Sequence, residues 1–258
     1  MNLSITEKRK KDIFISIFER LKTCASLVKV LFRKDAFYIQ GMDKSHICLF
    51  DVTLTSSWFN EYNVEEDVSI CFDTQIFFNV LSTSQEHNIR MYCDEKEPDH
   101  FHIDLKTTSD NSTHFDKFFK IPLAELDMDQ LTIPSVEYDV EIALPSKKIM
   151  ELCSQLALFG NIIHLSCSEE KVDISTSGTV GEMLVNIPID DLTEYSIAES
   201  ESFKLSYSLS YFHKMCLTTK LSNDIQISLS GSYPMRVKYD LGEDSLFLFF
   251  IAPKVDED

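Results

Sequence analysis

Residues 13–24 read IFISIFERLKTC, and residues 148–156 read KIMELCSQL. In the first stretch Ile13, Phe14, Ile17, Phe18, Leu21 and Cys24 recur at the spacing of one apolar helical stripe. In the second, Ile149, Met150, Leu152, Cys153 and Leu156 do the same, at an offset of about 135 residues. At that offset VSICFDTQIFFNVL (68–81) also lies opposite FKLSYSLSYFHKMC (203–216). Each reads as a strand ending in an Asp73 or Ser208 cap, followed by a short helix. A chain that repeats these units at half its length predicts two domains built on one plan.

Short segments of alternating polarity fill the space between the helices. Phe37–Gln40, His46–Val52 and Ile89–Tyr92 read as strands in the first half; Ile162–Leu165, Val172–Ile174 and Ile225–Leu229 do so in the second. Many strands with two short helices per half predict an α+β fold, since a parallel βαβ fold needs a helix after nearly every strand. The boundaries expected from this reading are a first domain over 1–121, a connecting loop over 122–138 and a second domain over 139–258. Pro122 and Pro134 bracket the loop, whose Leu126, Leu131 and Ile133 are too apolar to be left wholly in water.

The charge excludes one class of function. Of 258 residues, 42 are acidic and 24 basic, a formal net charge of −18. Such a chain does not adhere to phosphates or anionic lipid by bulk attraction, so any nucleic-acid role needs local basic surface or geometry. The seven cysteines are scattered and never spaced as C-x-x-C, so buried thiols are expected and neither a zinc site nor a disulfide frame. No apolar run approaches a membrane span, and the first residues lack the layout of a signal peptide. An intracellular protein with no membrane partner is expected.

Catalytic patterns are incomplete. Glu125, Asp127 and Asp129 make a carboxylate group inside the loop, and His100 and His102 flank Phe101, but neither brings the further ligands a metal needs. Walker, G-x-S-x-G and H-E-x-x-H patterns are missing. The Asp run reads as solvated and His100 and His102 as exposed loop residues. The expectation is no enzyme, no catalytic residue, no metal and no cofactor.

Four stretches, spread along the whole chain, then carry a resemblance. They are Gly41-Met42-Asp43-Lys44-Ser45-His46-Ile47, Leu126 to Pro134 (LDMDQLTIP), Ser232-Tyr233-Pro234, and Phe250-Ile251-Ala252-Pro253-Lys254. In order and spacing the chain resembles the proliferating cell nuclear antigen family of DNA sliding clamps. The resemblance implies a homotrimeric ring of six domains around duplex DNA, with helices lining the hole and antiparallel sheets outside. It implies a processivity factor and docking platform for replication and repair, with DNA polymerase, clamp loader, nuclease and ligase as partners. It also implies the nucleus as compartment, or the site of viral DNA replication for a viral copy.

The resemblance assigns residues as well. Partner peptides with an aliphatic and two aromatic anchors would be received by Met42, His46, Ile47, Leu49, Leu131, Ile133, Pro234, Phe250, Ala252 and Pro253. An acidic tail and linker would favour basic flanks on those peptides. The DNA channel would draw on Lys10, Lys11, Arg20, Lys22, Lys147, Lys148, Lys214 and Lys220. Relatives usually carry basic residues where this chain has Asn79, Ser82, Ser154, Ser210 and Leu217, so a weaker grip on DNA is expected. The trimer seam would join residues 115–121 to 181–187 of the neighbour through Phe118, Phe119, Leu158, Phe159, Met183, Leu184 and Val185. Phe119 is the expected anchor. Glu169 stands where relatives carry a lysine for ubiquitin, with Lys171 two positions away. Lys8 to Lys11 read equally as an import signal or a solvated first helical turn. The alternatives are a subunit of a heterotrimeric, checkpoint-type clamp and a viral clamp-like processivity protein.

Overall fold

The apolar stripes become helices, and the alternating segments become strands, in the computed structural model, which describes residues 1–84, 86–107, 114–198 and 201–254. The first half runs β1 (Asn2–Ile5), α1 (Lys8–Cys24), β2 (Leu27–Phe32), β3 (Ala36–Met42), β4 (Cys48–Thr55), β5 (Glu61–Asn63), β6 (Val68–Asp73), α2 (Thr74–Leu81), β7 (His87–Cys93), β8 (His100–Thr107) and β9 (Lys117–Pro122). The second half repeats it as β10 (Val140–Pro145), α3 (Ser146–Leu156), β11 (Ile162–Cys167), β12 (Lys171–Gly178), β13 (Gly181–Pro188), β14 (Glu194–Ile197), β15 (Phe203–Ser208), α4 (Leu209–Cys216), β16 (Asp224–Leu229), β17 (Met235–Gly242) and β18 (Ser245–Ile251). Residues 123–138 carry neither helix nor strand.

The duplication extends to strand order. In the first half β5-β1-β7-β8-β9 form one sheet, and β4-β3-β2-β6 are hydrogen-bonded neighbours in that order. Adding nine to each strand number gives the second half, β14-β10-β16-β17-β18 and β13-β12-β11-β15. β1 lies antiparallel between β5 and β7, with Leu3 opposite Tyr62 and Met91. β10 lies antiparallel between β14 and β16, with Ile142 opposite Tyr195 and Ile227. The α+β fold class read from the sequence is the fold of the chain.

Two compact units result. Unit 1 comprises Met1–Lys44, Phe50–Leu131 and Leu241–Phe247; unit 2 comprises Ser45–Leu49, Thr132–Asp240 and Leu248–Asp258. Hydrogen bonds explain the two short segments that leave their sequence half. Trp58 Nε1 donates to the Leu241 carbonyl at 3.1 Å, and Thr55 Oγ1 to the Glu243 carbonyl at 2.7 Å, both inside unit 1. Inside unit 2 the Ala252 N–H donates to the Ile47 carbonyl at 3.1 Å.

Unit 1 has an aromatic core. Phe77 of α2 meets Phe18 of α1 and Phe72 of β6, each at 4.5 Å between ring centroids, and Phe72 stacks on Phe101 of β8 at 5.6 Å. Unit 2 buries Ile149, Cys153 and Leu156 of α3 and Leu209, Phe212, Met215 and Cys216 of α4, and likewise Ile163 and Leu165 of β11 and Val172 and Ile174 of β12. Each fully buried ring or branched side chain contributes roughly 1.5–3 kcal/mol before ordering costs. Asp73 caps α2, its Oδ1 accepting from the Ile76 N–H at 2.8 Å. Ser208 makes no capping bond, and its hydroxyl meets that of Ser210 at 3.0 Å instead.

Two local expectations change. His46 and Ile47 precede β4, and His46 adopts a left-handed φ of 55° in the turn before it. His100 and His102 belong to strand β8, and His102 is buried, with Tyr92 of β7 stacked on its ring at 5.0 Å. The carboxyl-terminal acids Asp256, Glu257 and Asp258 lie outside the described residues. Six cysteines are buried and Cys93 is half-buried. Burial, with the Asp173 charge second, pushes the Cys167 thiol up to about 12, far from a reactive thiolate. Among the described residues no helix is long and apolar enough to cross a membrane.

Candidate functional site

The eight expected channel cations fall into two groups. In unit 1, Lys10 bonds Glu243 at 2.7 Å and sits 3.9 Å from Glu7. Lys11 is 4% exposed, donates from Nζ to the His87 carbonyl at 2.7 Å, and is held below the ordinary lysine range chiefly by burial. Arg20 is 8% exposed beside Glu19 at 3.4 Å. Lys22 lies 3.7 Å from the centroid of the Phe78 ring on α2. Lys11 and Arg20, two of the expected channel cations, are therefore covered by the protein itself. α1 buries a broader arc than its six stripe residues, because Lys11, Ser16 and Arg20 are covered as well. Of the basic run only Lys8 and Arg9 remain exposed.

In unit 2 the cations face water. Lys147 and Lys148 open α3 exposed to water, with Glu151 4.0 Å from Lys147. Lys214 on α4 is exposed, 5.3 Å from the Tyr211 ring, and Lys220 is exposed just beyond α4. Exposed apolar side chains occur on both helix pairs, Ile76 on α2 and Leu217 after α4. Asn79, Ser82, Ser154 and Ser210 are all exposed.

Two strands end their sheets with apolar side chains in water. β9 is the last strand of its sheet, and its residues alternate: Phe118 is 67% exposed, whereas Phe119 turns to the face that buries Ile121. Phe115, at the start of the expected seam segment and just before β9, is also exposed, although it is not among the side chains expected at the seam. β13 is the last strand of its sheet, with Leu184 61% exposed and Met183 and Val185 half-buried. Leu158 is exposed at the end of α3, and Phe159 is half-buried beside it. Any side chain at Gly178 would strike the Phe159 carbonyl, and one at Gly160 would meet Ser177. Glycine at both positions therefore lets the β12–β13 turn close on Phe159–Gly160. Edge strands usually carry charges that prevent pairing, and these two present Phe and Leu.

The expected peptide contacts divide between the units. In unit 2, Ile47, Leu49, Ile133 and Phe250 are half-buried, and His46, Pro234, Ala252 and Pro253 are exposed. The Ile47–Ala252 backbone bond brings two of them side by side. In unit 1, Met42 is half-buried and Leu131 is exposed. A polar network the sequence did not reveal holds Leu131. Gln40 Oε1 accepts from the Leu131 N–H at 2.7 Å, Gln40 Nε2 donates to the Leu131 carbonyl at 3.0 Å, and Asp51 lies behind Gln40 at 3.2 Å. Burial raises the Asp51 carboxyl above its ordinary value, against the opposing bonds from Tyr38 and Gln40. Glu125, Asp127 and Asp129 are exposed in the loop, and among the described residues no group of His, Cys, Asp and Glu is placed to hold a metal. Glu169 is exposed, and Lys171 pairs with Asp173 at 2.8 Å.

Comparison with known proteins fits this geometry. Residues 6–130 match the family model of the proliferating cell nuclear antigen N-terminal domain, and residues 132–254 match that of its C-terminal domain. The proliferating cell nuclear antigen of Chaetomium thermophilum is 26% identical over 226 residues, covering 85% of this chain and 86% of that protein. A chain in the crystal structure of the PCNA2–PCNA3 complex from Sulfolobus tokodaii superposes with a TM-score of 0.86. It covers 98% of this chain and 99% of that one, and at 19% identity this likeness is one of fold. With both family domains matched in order along a duplicated fold, the chain belongs to the proliferating cell nuclear antigen family of DNA sliding clamps, the processivity factors of replication and repair.

Proposed function

We propose that this clamp closes with two further copies of itself, pairing β9 of one copy with β13 of the next. One observation carries the reading. In the strand order β18 stands beside β4, and within unit 1 the Thr55 N–H of β4 donates to the Ser245 hydroxyl of β18 at 3.0 Å. β9 is the counterpart of β18, and β13 is the counterpart of β4. The pairing one chain already makes is thus available again between copies, with Phe118 and Leu184 as the side chains it would cover. A head-to-tail contact of this kind closes into a ring when its rotation allows.

Such a ring holds duplex DNA by enclosure. At −18 per chain it has little bulk attraction for phosphate, and the exposed cations supporting DNA contact are Lys147, Lys148, Lys214 and Lys220 of unit 2, with Lys8 and Arg9 of unit 1. Lys22 contributes through its ammonium above Phe78. Contacts of this kind carry no sequence information and permit sliding. Polymerase, clamp loader, nuclease and ligase dock through short peptides with an aliphatic and two aromatic anchors. The receiving residues are Met42, His46, Ile47, Leu49, Leu131, Ile133, Pro234, Phe250, Ala252 and Pro253. The clamp works where DNA is replicated, in the nucleus.

Native mass spectrometry and retention on DNA test this together. The expected species is three times the chain mass of 29.7 kDa, retained on closed circular DNA through a high-salt wash and lost when the circle is cut. A persistent monomer that assembles only on adding other clamp subunits would replace this reading with a heterotrimeric clamp. That second reading is motivated by the fold likeness to a chain of the PCNA2–PCNA3 complex.

A further inference from the structure

Polar groups, more than packed side chains, hold the linker at Met128–Leu131. Lys29 Nζ donates to the Met128 carbonyl at 3.4 Å, and Arg33 Nη2 donates to Gln130 Oε1 at 3.0 Å. The Gln40 carboxamide engages Leu131 at both of its backbone groups, at 2.7 and 3.0 Å. The apolar packing beneath is incomplete. A cavity of about 60 Å³ lies among Lys29, Leu31, Tyr38, Gln40, Met128 and Gln130, and an open hollow of about 340 Å³ is bordered by Lys29 and Ala124–Asp127.

A carboxamide has two orientations that exchange its oxygen and nitrogen, and only one matches the Leu131 N–H and carbonyl together. In the other, oxygen would face the carbonyl and nitrogen would face the N–H. Asp51 removes the ambiguity. Its Oδ2 accepts from Gln40 Nε2 at 3.2 Å and from the Tyr38 hydroxyl at 2.5 Å, so an oxygen cannot be turned toward it without repulsion. Gln40 is 6% exposed and Asp51 8%, so water does not substitute readily for either partner.

We infer that Asp51 is a positioning residue for partner docking: by orienting the Gln40 carboxamide it sets the backbone at Leu131, which a docking peptide then meets. The inference rests on the peptide-docking reading above. A linker held by a few hydrogen bonds over incompletely packed space takes its geometry from those bonds. Removing their orienting group leaves the ring intact and the linker unset.

The experiment uses the full-length trimer. It follows amide exchange at Leu131, together with titration by a synthetic peptide carrying one aliphatic and two aromatic anchors. Asp51→Leu and Gln40→Leu are each expected to speed Leu131 exchange and to weaken the peptide about five- to tenfold, the loss of one or two hydrogen bonds. Asp51→Asn, whose Oδ1 still accepts from Tyr38 and Gln40, is expected to restore both. The Gln40→Leu/Asp51→Leu double variant should be no weaker than the worse single, because the two act as one unit. Unchanged Leu131 exchange in Asp51→Leu, faster exchange with unchanged affinity, or failure of Asp51→Asn to restore would each overturn the inference. Should Asp51→Leu not fold, Asp51→Ala, which likewise leaves Gln40 without its carboxylate acceptor, carries the same test against Asp51→Asn. An unmodified trimer with a protected Leu131 amide that binds no peptide overturns the docking reading itself, an outcome distinct from the others.

Discussion

Units 1 and 2 share a strand order element for element, yet they are filled and charged differently. Position 4 of the short helix is Phe77 in α2 and Phe212 in α4, both buried. Phe77 lies within 6.3 Å of four other rings, those of Phe14, Phe18, Phe72 and Phe101. Phe212 is buried without a ring partner among the described residues. The long helices differ in the use of their cations. α1 turns Lys11 and Arg20 inward and pairs Lys10, while α3 leaves Lys147 and Lys148 in water. One topology therefore tolerates two core chemistries and two surface chemistries, because the spacing of apolar positions sets it and their identity does not.

The largest expected effect breaks this symmetry at its centre. Phe77→Ala should cost unit 1 about 3–5 kcal/mol, as for other buried rings. Phe212→Ala should cost unit 2 less, because it forfeits burial but not the aromatic pairs worth about 0.5–1.5 kcal/mol each. Hydrogen exchange resolved by unit measures both in one protein. Equal losses would show that ring geometry adds nothing to the first core.

Next in size are the two open edges, unlike surfaces that the proposed ring requires to fit each other. Phe118→Asp on β9 and Leu184→Asp on β13 should each dissociate the trimer, by at least the roughly 30-fold per seam typical of an interface hot spot. Mixing the two variants sharpens the comparison. Each retains the edge that is spoiled in the other, so one seam can form and a dimer should appear that neither gives alone. Light scattering reports the outcome, and two independent populations of monomers would show that β9 and β13 are not partners. Phe119→Asp should act less on the seam than Phe118→Asp, since Phe119 turns toward the Ile121 face.

How much of this was legible depends on the range of the interaction. The stripe in IFISIFERLKTC, the cap at Asp73 and the alternation in the strands are local, and each became the element expected. The duplicated order followed from two matched segments. Long-range polar partners left no local trace. Lys11 reads as one more cation in a basic run, and its acceptor is the His87 carbonyl, 76 residues away. Gln40 meets Leu131 across 91 residues, and the network includes an aspartate in the middle of an apolar strand. A buried acid in such a strand is a signal that a partner exists, though not which one. His102 escapes a local reading for a related reason: an outward-facing strand residue becomes buried when Tyr92 and Glu97 lie over it.

The charge difference predicts how DNA binding divides between the units. Lys148→Gln and Lys214→Gln should each flatten the dependence of DNA retention on salt, by about 0.9 in log–log slope for each phosphate no longer neutralised. Arg20→Gln should leave that slope unchanged while lowering the stability of unit 1, because its guanidinium is covered. A salt titration of the closed ring on linear DNA separates the two groups. An equal change in slope from Arg20→Gln would mean that α1 rearranges on DNA to release it.

The smallest expected effect compares two aspartates that each bond across neighbouring strands, Asp51 in unit 1 and Asp173 in unit 2. The Lys171 ammonium first, and the Asn186 amide second, hold the Asp173 carboxyl below its ordinary 3.8. A carboxyl held low stabilises the fold at pH values above 3.8, and that contribution disappears as pH falls through the lower folded value. Burial holds Asp51 above 3.8, outweighing the bonds from Tyr38 and Gln40 and the charge of Arg33. The folded chain then takes up its proton before the unfolded chain does. Unit 1 consequently gains stability from Asp51 as pH falls from the raised folded value toward 3.8, while unit 2 begins to lose the Asp173 contribution only below 3.8. Exchange rates of β3 and β12 amides, followed from neutral pH to about pH 3, should therefore depart in opposite directions once each is compared with its Asp→Asn variant. Departures of the same sign would mean that the hydrogen bonds to Asp51 outweigh its burial, and that its carboxylate is as comfortable inside unit 1 as Asp173 is at the surface of unit 2.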